Sequence, residues 1–213
     1  MKNKKSLILL GLAFVFLFCA GCDSSKLSSY VNNTKIGKNT TSYRLNLKIY
    51  GTYNKKNIRK TVIVDNYMNT DKRVTTMNIV GLKFEEKTYI LKDNKRYEVV
   101  DNKLKEVKSI KYEDTDLYLK SINYIKDISD PKTQKIGETE YTVYTGKVDK
   151  KIINKMLETT DLDIKVSENG TAEVWLTKDN RVDKVYYKVG DLTIYPSFFI
   201  FNNVKQINLD MYK

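Results

Sequence analysis

The chain has 213 residues, of which 30% are charged and 41% are hydrophobic, and its formal net charge is +12. Such a length suits one ordinary globular domain with a short additional segment. With 2 prolines and 9 glycines, the sequence excludes collagen-like and linker-dominated chains.

The lack of histidine excludes several kinds of catalytic site. Histidine is the commonest general acid–base and transition-metal ligand, so Ser-His-Asp hydrolysis and HExxH zinc chemistry are ruled out. The chain has 2 cysteines, Cys19 and Cys22, both near its N-terminus, so the body offers no thiol nucleophile. A carboxylate pair or a Ser/Lys dyad is still open to an enzyme, but no spacing singles one out. We therefore expect a non-enzymatic protein with no cofactor and no metal.

Residues 1–21 have the layout of a secretory signal peptide. Three lysines among the first five residues form a positive start, and residues 7–18 form an apolar run broken only by a glycine. Small residues, Ala20 and Gly21, stand just before Cys22. The apolar run is shorter than the roughly 20 residues that a membrane helix needs. We therefore favour a cleaved signal, and the alternative is a short anchor that is never cleaved.

The sequence Cys19-Ala20-Gly21-Cys22 resembles the lipobox of bacterial lipoproteins. Ala20 and Gly21 fit the pattern, whereas Cys19 departs from the aliphatic residue usually found at its position. The resemblance implies cleavage between Gly21 and Cys22 and a diacylglyceryl group on the Cys22 sulfur. Two acyl chains are enough for stable anchoring, where one is marginal. The implied location is the extracytoplasmic face of the bacterial cell membrane.

Residues 22–41 are predicted to form a lipidated polar tether, because this segment is rich in Ser, Asn and Thr. From Ser42 the pattern changes to strict alternation, with Leu45 and Leu47 on one side of a strand and Arg44 on the other. We place a single domain at residues 42–213.

Short alternating segments separated by Asx-rich turns predict an antiparallel meander. In the first half, strands are expected at 57–67, 73–80, 87–92, 96–101 and 104–110, with turns at 93–94 and 101–102. In the second half, they are expected at 140–148, 163–167, 172–177, 182–189, 192–201 and 204–211, with a hairpin turn at Asn169-Gly170.

Two segments instead show apolar residues at helical spacing, 116–128 and 149–159, with Asp149 as the N-cap of the second. We interpret both helices as structural cover for the sheet. The alternative is that one of them is a movable lid over a cavity.

These elements predict a mainly β, α+β domain: one curved antiparallel sheet forming a half-barrel, with two short covering helices. With the lipobox and the tether, the stretch 170–182 (GTAEVWLTKDNRV) resembles bacterial lipoproteins with a LolA/LppX-like curved sheet. The resemblance spans residues 42–211. It implies a concave apolar face, covered by helices, that shelters acyl chains, and it brings no catalytic residues.

The apolar residues of the predicted strands are the candidates for lining a hydrophobic site. The run at 198–201 is either a core strand buried on both faces or an exposed rim at the mouth of the site, and Trp175 is interpreted as core. The candidate ligand-lining residues are Leu45, Leu47, Val62, Val174, Leu176, Tyr195, Phe198 and Phe199.

Three functions are compatible with the sequence. The first is a membrane-anchored module that binds lipid or another hydrophobic envelope component. The second is an envelope protein with a filled core, whose basic outer face binds an anionic polymer or a protein partner. The third is an enzyme built on carboxylates. Export argues against nucleic acid as a partner, and we expect a monomer.

Overall fold

The computed structural model describes Leu27 and residues 41–67, 71–80 and 83–212. The predicted signal peptide, the lipobox and Cys22 lie outside these residues, as does the predicted tether except for Leu27 and Thr41. Leu27 lies in a helix and is buried in the hydrophobic core. Within the described part of the chain, no helix is both long and apolar enough to cross a membrane.

The described residues form one curved antiparallel sheet of eleven strands that does not close into a barrel. The predicted fold class is therefore confirmed. The strands are β1 (Ser42–Tyr53), β2 (Lys56–Tyr67), β3 (Asp71–Val80), β4 (Lys83–Lys92), β5 (Lys95–Val100), β6 (Lys103–Glu106), β7 (Lys132–Ile136), β8 (Thr139–Val148), β9 (Gly170–Thr177), β10 (Val182–Val189) and β11 (Leu192–Phe199).

The strand order is β6-β5-β4-β3-β2-β1-β11-β10-β9-β8-β7, so all strands that are consecutive in sequence are adjacent in the sheet except β6 and β7. The first and last strands, β1 and β11, pair in the middle of the sheet. The two edges, β6 and β7, are consecutive in sequence but lie at opposite ends. The chain between them, residues 107–131, must therefore cross the sheet, and we call it the crossing segment.

The helices belong to the connections on one side of the sheet. The crossing segment contains α1 (Asp116–Lys120) and a 3₁₀ turn at Ser121–Tyr124, while α2 (Lys150–Glu158) follows β8. The side chain of Asp149 accepts a hydrogen bond from the Lys151 N–H at 2.8 Å, which confirms it as the N-cap of α2. A second 3₁₀ turn, Leu209–Met211, lies near the C-terminus.

The tight turns of the first half follow the prediction. Asp93-Asn94 and Asp101-Asn102 each join two strands with both residues at positive φ, between +49° and +62°. This is the conformation of a type I′ hairpin turn, which Asn and Asp tolerate better than most residues. The sequence signal was therefore sufficient at these turns.

Three predicted elements were wrong. Residues 163–167 are not a strand, because the amide of Asn154 in α2 takes the place of a strand partner and bonds the Val166 N–H and C=O at 2.8 and 3.0 Å. Residues 204–211 also lack a strand, since side chains such as Ser42 and Lys92 bond their main chain. The helix predicted over 116–128 ends as a 3₁₀ turn at Tyr124, and Asp127 has a φ of +50°.

An edge strand was also missed. Strand β7 is fully exposed and shows no apolar alternation, so its pairing with β8 left no periodic signal. The expected Asn169-Gly170 hairpin does not form either, because Gly170 already begins β9, which pairs with β8 and β10.

An ion network ties β1, β2 and β3 together on the face of the sheet opposite the helices. Asp65 of β2 is buried and accepts hydrogen bonds from Arg44 at 3.0 Å and from Arg73 at 2.8 Å. Burial alone would raise the pKa of this carboxyl, but the hydrogen bonds and charges of Arg44 and Arg73 outweigh burial and hold the pKa below its usual value.

This network predicts a defined loss of stability in acid. Because the folded-state pKa of Asp65 lies below the unfolded-state value of about 3.9, its contribution is complete above that value and is lost as the pH falls through the folded-state pKa. We expect Asp65→Asn to lower the free energy of unfolding at pH 7 by about 1.5–3 kcal/mol, and to reduce the loss of stability in acid. Urea unfolding from pH 7 to pH 2 measures both effects. The exposed Asp130→Asn is the control, and an Asp65→Asn protein with the full wild-type acid sensitivity would contradict the assignment.

Candidate functional site

One face of the sheet is apolar and covered, and we call it the covered face. Six of the eight candidate ligand-lining residues lie on it, and each is at most 1% exposed. Leu45 stands opposite Val64 and Phe198 in the neighbouring strands, and Leu47 stands opposite Val62. All six belong to one hydrophobic cluster: Leu45, Leu47, Val62, Val174, Leu176 and Phe198.

The other two candidates do not share this face. Tyr195 and Phe199 are each an odd number of residues from Phe198, so strand alternation points them to the opposite face. Tyr195 stacks on Tyr186 there, with ring centroids 4.4 Å apart, and Phe199 is 37% exposed. The run at 198–201 is thus neither buried on both faces nor wholly exposed.

The cover over the apolar face comes from connecting segments. The crossing segment and α2 both turn apolar side chains into the same cluster that the covered face forms. The 3₁₀ turn at Ser121–Tyr124 contributes Ile122, while α2 presents one apolar face, as its spacing predicted. The buried apolar residues of the cover include Tyr112, Leu117, Tyr118, Ile122, Ile125, Ile153, Met156, Leu157, Ile164 and Val166.

The sheet has a glycine beneath each of the two covering elements. A Cβ on Gly146 would stand 2.5 Å from the Ile125 side chain and 2.7 Å from the Lys126 carbonyl oxygen. A Cβ on Gly170 would stand 2.7 Å from the Ile153 side chain of α2. Neither position was predicted from the sequence, although a glycine inside a strand pattern is a known signal of close approach.

Buried hydroxyl groups link the cover to the sheet. The Ser121 hydroxyl donates to the Tyr118 carbonyl oxygen at 2.8 Å, so its oxygen accepts from the Tyr187 hydroxyl of β10 at 2.6 Å. The Tyr118 hydroxyl donates to the Met156 carbonyl oxygen of α2 at 3.2 Å. Burial raises the pKa of Tyr118 and of Tyr187 well above the ordinary value. Both side chains therefore stay neutral and keep the proton they donate.

The covered face is polar at its two ends on β2 and β3. Lys60 lies at one end, while Asn66 and Lys72 lie at the other, and all three are buried. The Thr115 hydroxyl donates to the Asn66 side-chain oxygen at 3.0 Å, and Lys72 donates to the main chain of Glu113. The Asn66 amide nitrogen has no hydrogen-bond acceptor among the described atoms. An apolar surface bounded by buried polar groups suits a ligand with a long apolar part and a polar end.

Three clefts lie at the surface of the described residues, and all are open to solvent. One of about 480 Å³ lies beside the segment after α2 and is lined by Asp161, Leu162 and Ile164 among others. Another cleft, of about 500 Å³, lies near the turn that joins β1 to β2 and is lined by Lys48, Arg59 and Lys60 among others. The third, of about 520 Å³, lies against the C-terminal residues 206–210.

Trp175 is buried, as expected for a core residue, but it lies on the opposite face of the sheet, beside the Tyr141 ring and Lys184. Trp175 is 7% exposed, and its ring makes an edge contact with Tyr141 at 5.5 Å between centroids. The Lys184 ammonium stands 4.6 Å from the Tyr141 ring centroid and 4.7 Å from that of Trp175. These cation–π contacts hold the lysine against the sheet.

The side chains described here include no group of three or more Asp, Glu, His or Cys residues that could hold a metal ion. The protein belongs to the class of open curved antiparallel sheets that have one apolar face under a thin helical cover.

Comparison with known proteins agrees with this class. No family model matches the sequence, and a search of curated proteins found no significant relative. Among solved structures, LprF from Mycobacterium bovis superposes with a TM-score of 0.58 at 8% identity, over 87% of this chain and 96% of LprF. The Mycobacterium tuberculosis lipoprotein LppX gives 0.57 at 14% identity, over 87% and 99%. At such identities the likeness establishes the fold, and the predicted LolA/LppX-like curved sheet is confirmed.

The packing of α2 on Gly170 gives a prediction. In Gly170→Ala the new methyl group would stand 2.4 Å from the Lys188 carbonyl oxygen, a main-chain atom of β10 that cannot move freely, and would press on Ile153. We expect the free energy of unfolding to fall by about 1–3 kcal/mol, as for an overpacked core site. Urea denaturation measures it, with the exposed neighbour Thr171→Ala as control. A Gly170→Ala protein as stable as the control would show that α2 does not pack as described.

Proposed function

We propose that this protein is an extracytoplasmic lipoprotein, anchored to the cell membrane through Cys22, that binds a lipid or another hydrophobic molecule on the covered face. The observation that carries the proposal is the continuous apolar face beneath a thin cover. It occurs in a fold that the chain shares with the lipoprotein LppX. The proposal includes no catalytic step.

The physical basis is the exchange of one apolar surface for another. The covered face now buries itself against apolar side chains of the crossing segment and of α2. An acyl chain offers the same kind of surface, so it can replace those side chains without exposing the sheet to water. Binding then requires the cover to move outward and make room for the ligand.

The helices of the cover are short, which favours such an exchange. Its helices α1 and α2 have 5 and 9 residues. Isolated helices of this length are unstable in water, so their stability depends on what they pack against. A cover held mainly by packing follows the surface beneath it, whether that surface is the bare sheet or a bound chain. This favours the movable-lid interpretation of the helices.

A second function is favoured by the cleft at the end of β1 and β2. Its described lining includes the exposed cations Lys48 and Arg59 and no acidic residue. Such a surface attracts anionic polymers or acidic protein surfaces in the envelope, and salt weakens the attraction. This alternative requires no movement of the cover.

The anchor is tested by substitution of the two cysteines. We expect Cys22→Ser to abolish lipid attachment, because the thiol is the acceptor, and to leave the protein uncleaved or released from the membrane. Cys19→Ser is the matched control and should be lipidated like the wild type. Metabolic labelling with a fatty acid, followed by fractionation of the bacterial cells, measures both results. Labelled Cys22→Ser protein would disprove the assignment of the anchor.

Hydrophobic binding is tested by native mass spectrometry of residues 24–213, produced without the anchor and purified without detergent. We expect co-purified species of lipid mass, released on denaturation, because a bacterial host supplies ligands for an apolar site. Their masses would identify the class of ligand.

A bare protein mass that stays unchanged after incubation with envelope lipids would contradict the lipid-binding proposal. The cationic cleft would then be the site to examine, by measuring whether an anionic polymer such as polyphosphate binds in a salt-dependent way.

A further inference from the structure

Lys60 is buried among aliphatic side chains at one end of the covered face, away from Asn66 and Lys72 at the other end. Lys60 of β2 is in phase with Val62 and Val64 and stands opposite Ile49 of β1, which is fully buried. The Lys60 side chain is 1% exposed. A buried ammonium is costly unless a counter-charge and hydrogen bonds satisfy it, so a lysine at this position calls for an anion.

The carboxylate that pairs with Lys60 is much more exposed to solvent than Lys60 itself. Its ion-pair partner is Asp161, in the connection between α2 and β9, and the Asp161 side chain is 43% exposed. The Tyr112 hydroxyl of the crossing segment also donates to Asp161, at 3.2 Å, while the Tyr112 ring centroid lies 5.9 Å from the Lys60 ammonium. The carboxylate therefore stands between a buried cation and the solvent.

An open cleft leads to this carboxylate. The cleft of about 480 Å³ beside the connection is lined by Asp161 and two further acidic residues, Glu158 and Asp163, and by apolar Leu162 and Ile164 and the cations Lys111 and Lys165. A ligand in this cleft can reach Asp161, which bonds Lys60 and Tyr112.

We propose that Lys60 is the anchor for the carboxylate of a long-chain fatty acid, and that Asp161 holds the place of that carboxylate when no ligand is bound. The inference rests on the proposed hydrophobic site and names the class of its ligand. The Lys60 ammonium and the Tyr112 hydroxyl both donate to Asp161 Oδ1, and one oxygen of a ligand carboxylate placed there would accept from both donors. The acyl chain would run from there along Ile49, Leu47 and Val62 of the covered face.

The exchange keeps the buried charge satisfied throughout. When the ligand carboxylate takes the position of Asp161, the Asp161 side chain turns into water, where it is already partly exposed. The ammonium is never left alone, so the cost of an unpaired buried charge does not arise. A neutral amphiphile cannot make this exchange, because it would leave Lys60 with Asp161 in place or with no counter-charge at all.

The test compares oleate with oleyl alcohol, which has the same chain and no charge, as ligands of the mature chain carrying Cys22→Ser. We expect the wild-type site to prefer oleate by at least about tenfold, the factor that a charge-assisted hydrogen bond supplies. Lys60→Met, of similar shape, should lose this preference and still bind the alcohol. Asp161→Asn should bind oleate more tightly than the wild type, because it removes the competing carboxylate. Isothermal titration calorimetry measures each of these affinities.

Lys135→Met is the matched control, since it removes an exposed lysine from the edge strand β7, which does not adjoin β2. It should keep the wild-type preference. A Lys60→Met protein that still prefers oleate, or a wild type that binds both ligands equally, would overturn the role of Lys60 and leave hydrophobic binding intact. A wild type that binds neither ligand would overturn both proposals. Asp161→Asn keeps the test decisive if Lys60→Met does not fold.

Discussion

The pairing of β1 with β11 is the interaction on which the rest of this structure depends. By joining the first and last strands in the middle of the sheet, it leaves β6 and β7 as edges at opposite ends, although they are consecutive in sequence. Residues 107–131 must then pass across the sheet. They pair with the main chain at the edge of β8, where Lys126 and Lys147 exchange hydrogen bonds of 2.8 and 2.7 Å. The cover over the apolar face is thus a consequence of strand order.

The same constraint separates the two faces chemically. The covered face meets the crossing segment and α2, and it carries the aliphatic residues of β1, β2, β9 and β11. The opposite face carries the charged network of Asp65 and the aromatic rings beside Lys184. Alternation also places buried polar residues on the covered face, with Lys60 at one end and Asn66 and Lys72 at the other. A buried ammonium costs free energy unless a counter-charge satisfies it, and at Lys60 that counter-charge is Asp161.

The features that could be predicted from the sequence are those set by residues close together in the chain, namely strand faces and hairpin turns. Alternation at Leu45 and Leu47 located the covered face, and Asx pairs located two hairpin turns. The same alternation places Lys60 on the covered face and Tyr195 on the other, so the face of each residue could have been predicted from the sequence. Its limit is long-range pairing: the sequence does not show that Asp161 meets Lys60, or that Asn154 bonds the segment expected to be a strand. Such contacts depend on the crossing segment, whose path follows from strand order rather than from local propensity.

The central claim is that a hydrophobic ligand lies between the covered face and its cover. Photo-crosslinking with a fatty acid that carries a diazirine in its acyl chain tests this most directly, because the reacting carbene marks whatever the chain touches. Mapping by mass spectrometry should place the label on peptides containing Leu45, Leu47, Val62 or Phe198 and on the inner side of α2. Label confined to the opposite face, on Tyr186, Tyr195 or Phe199, would contradict the account.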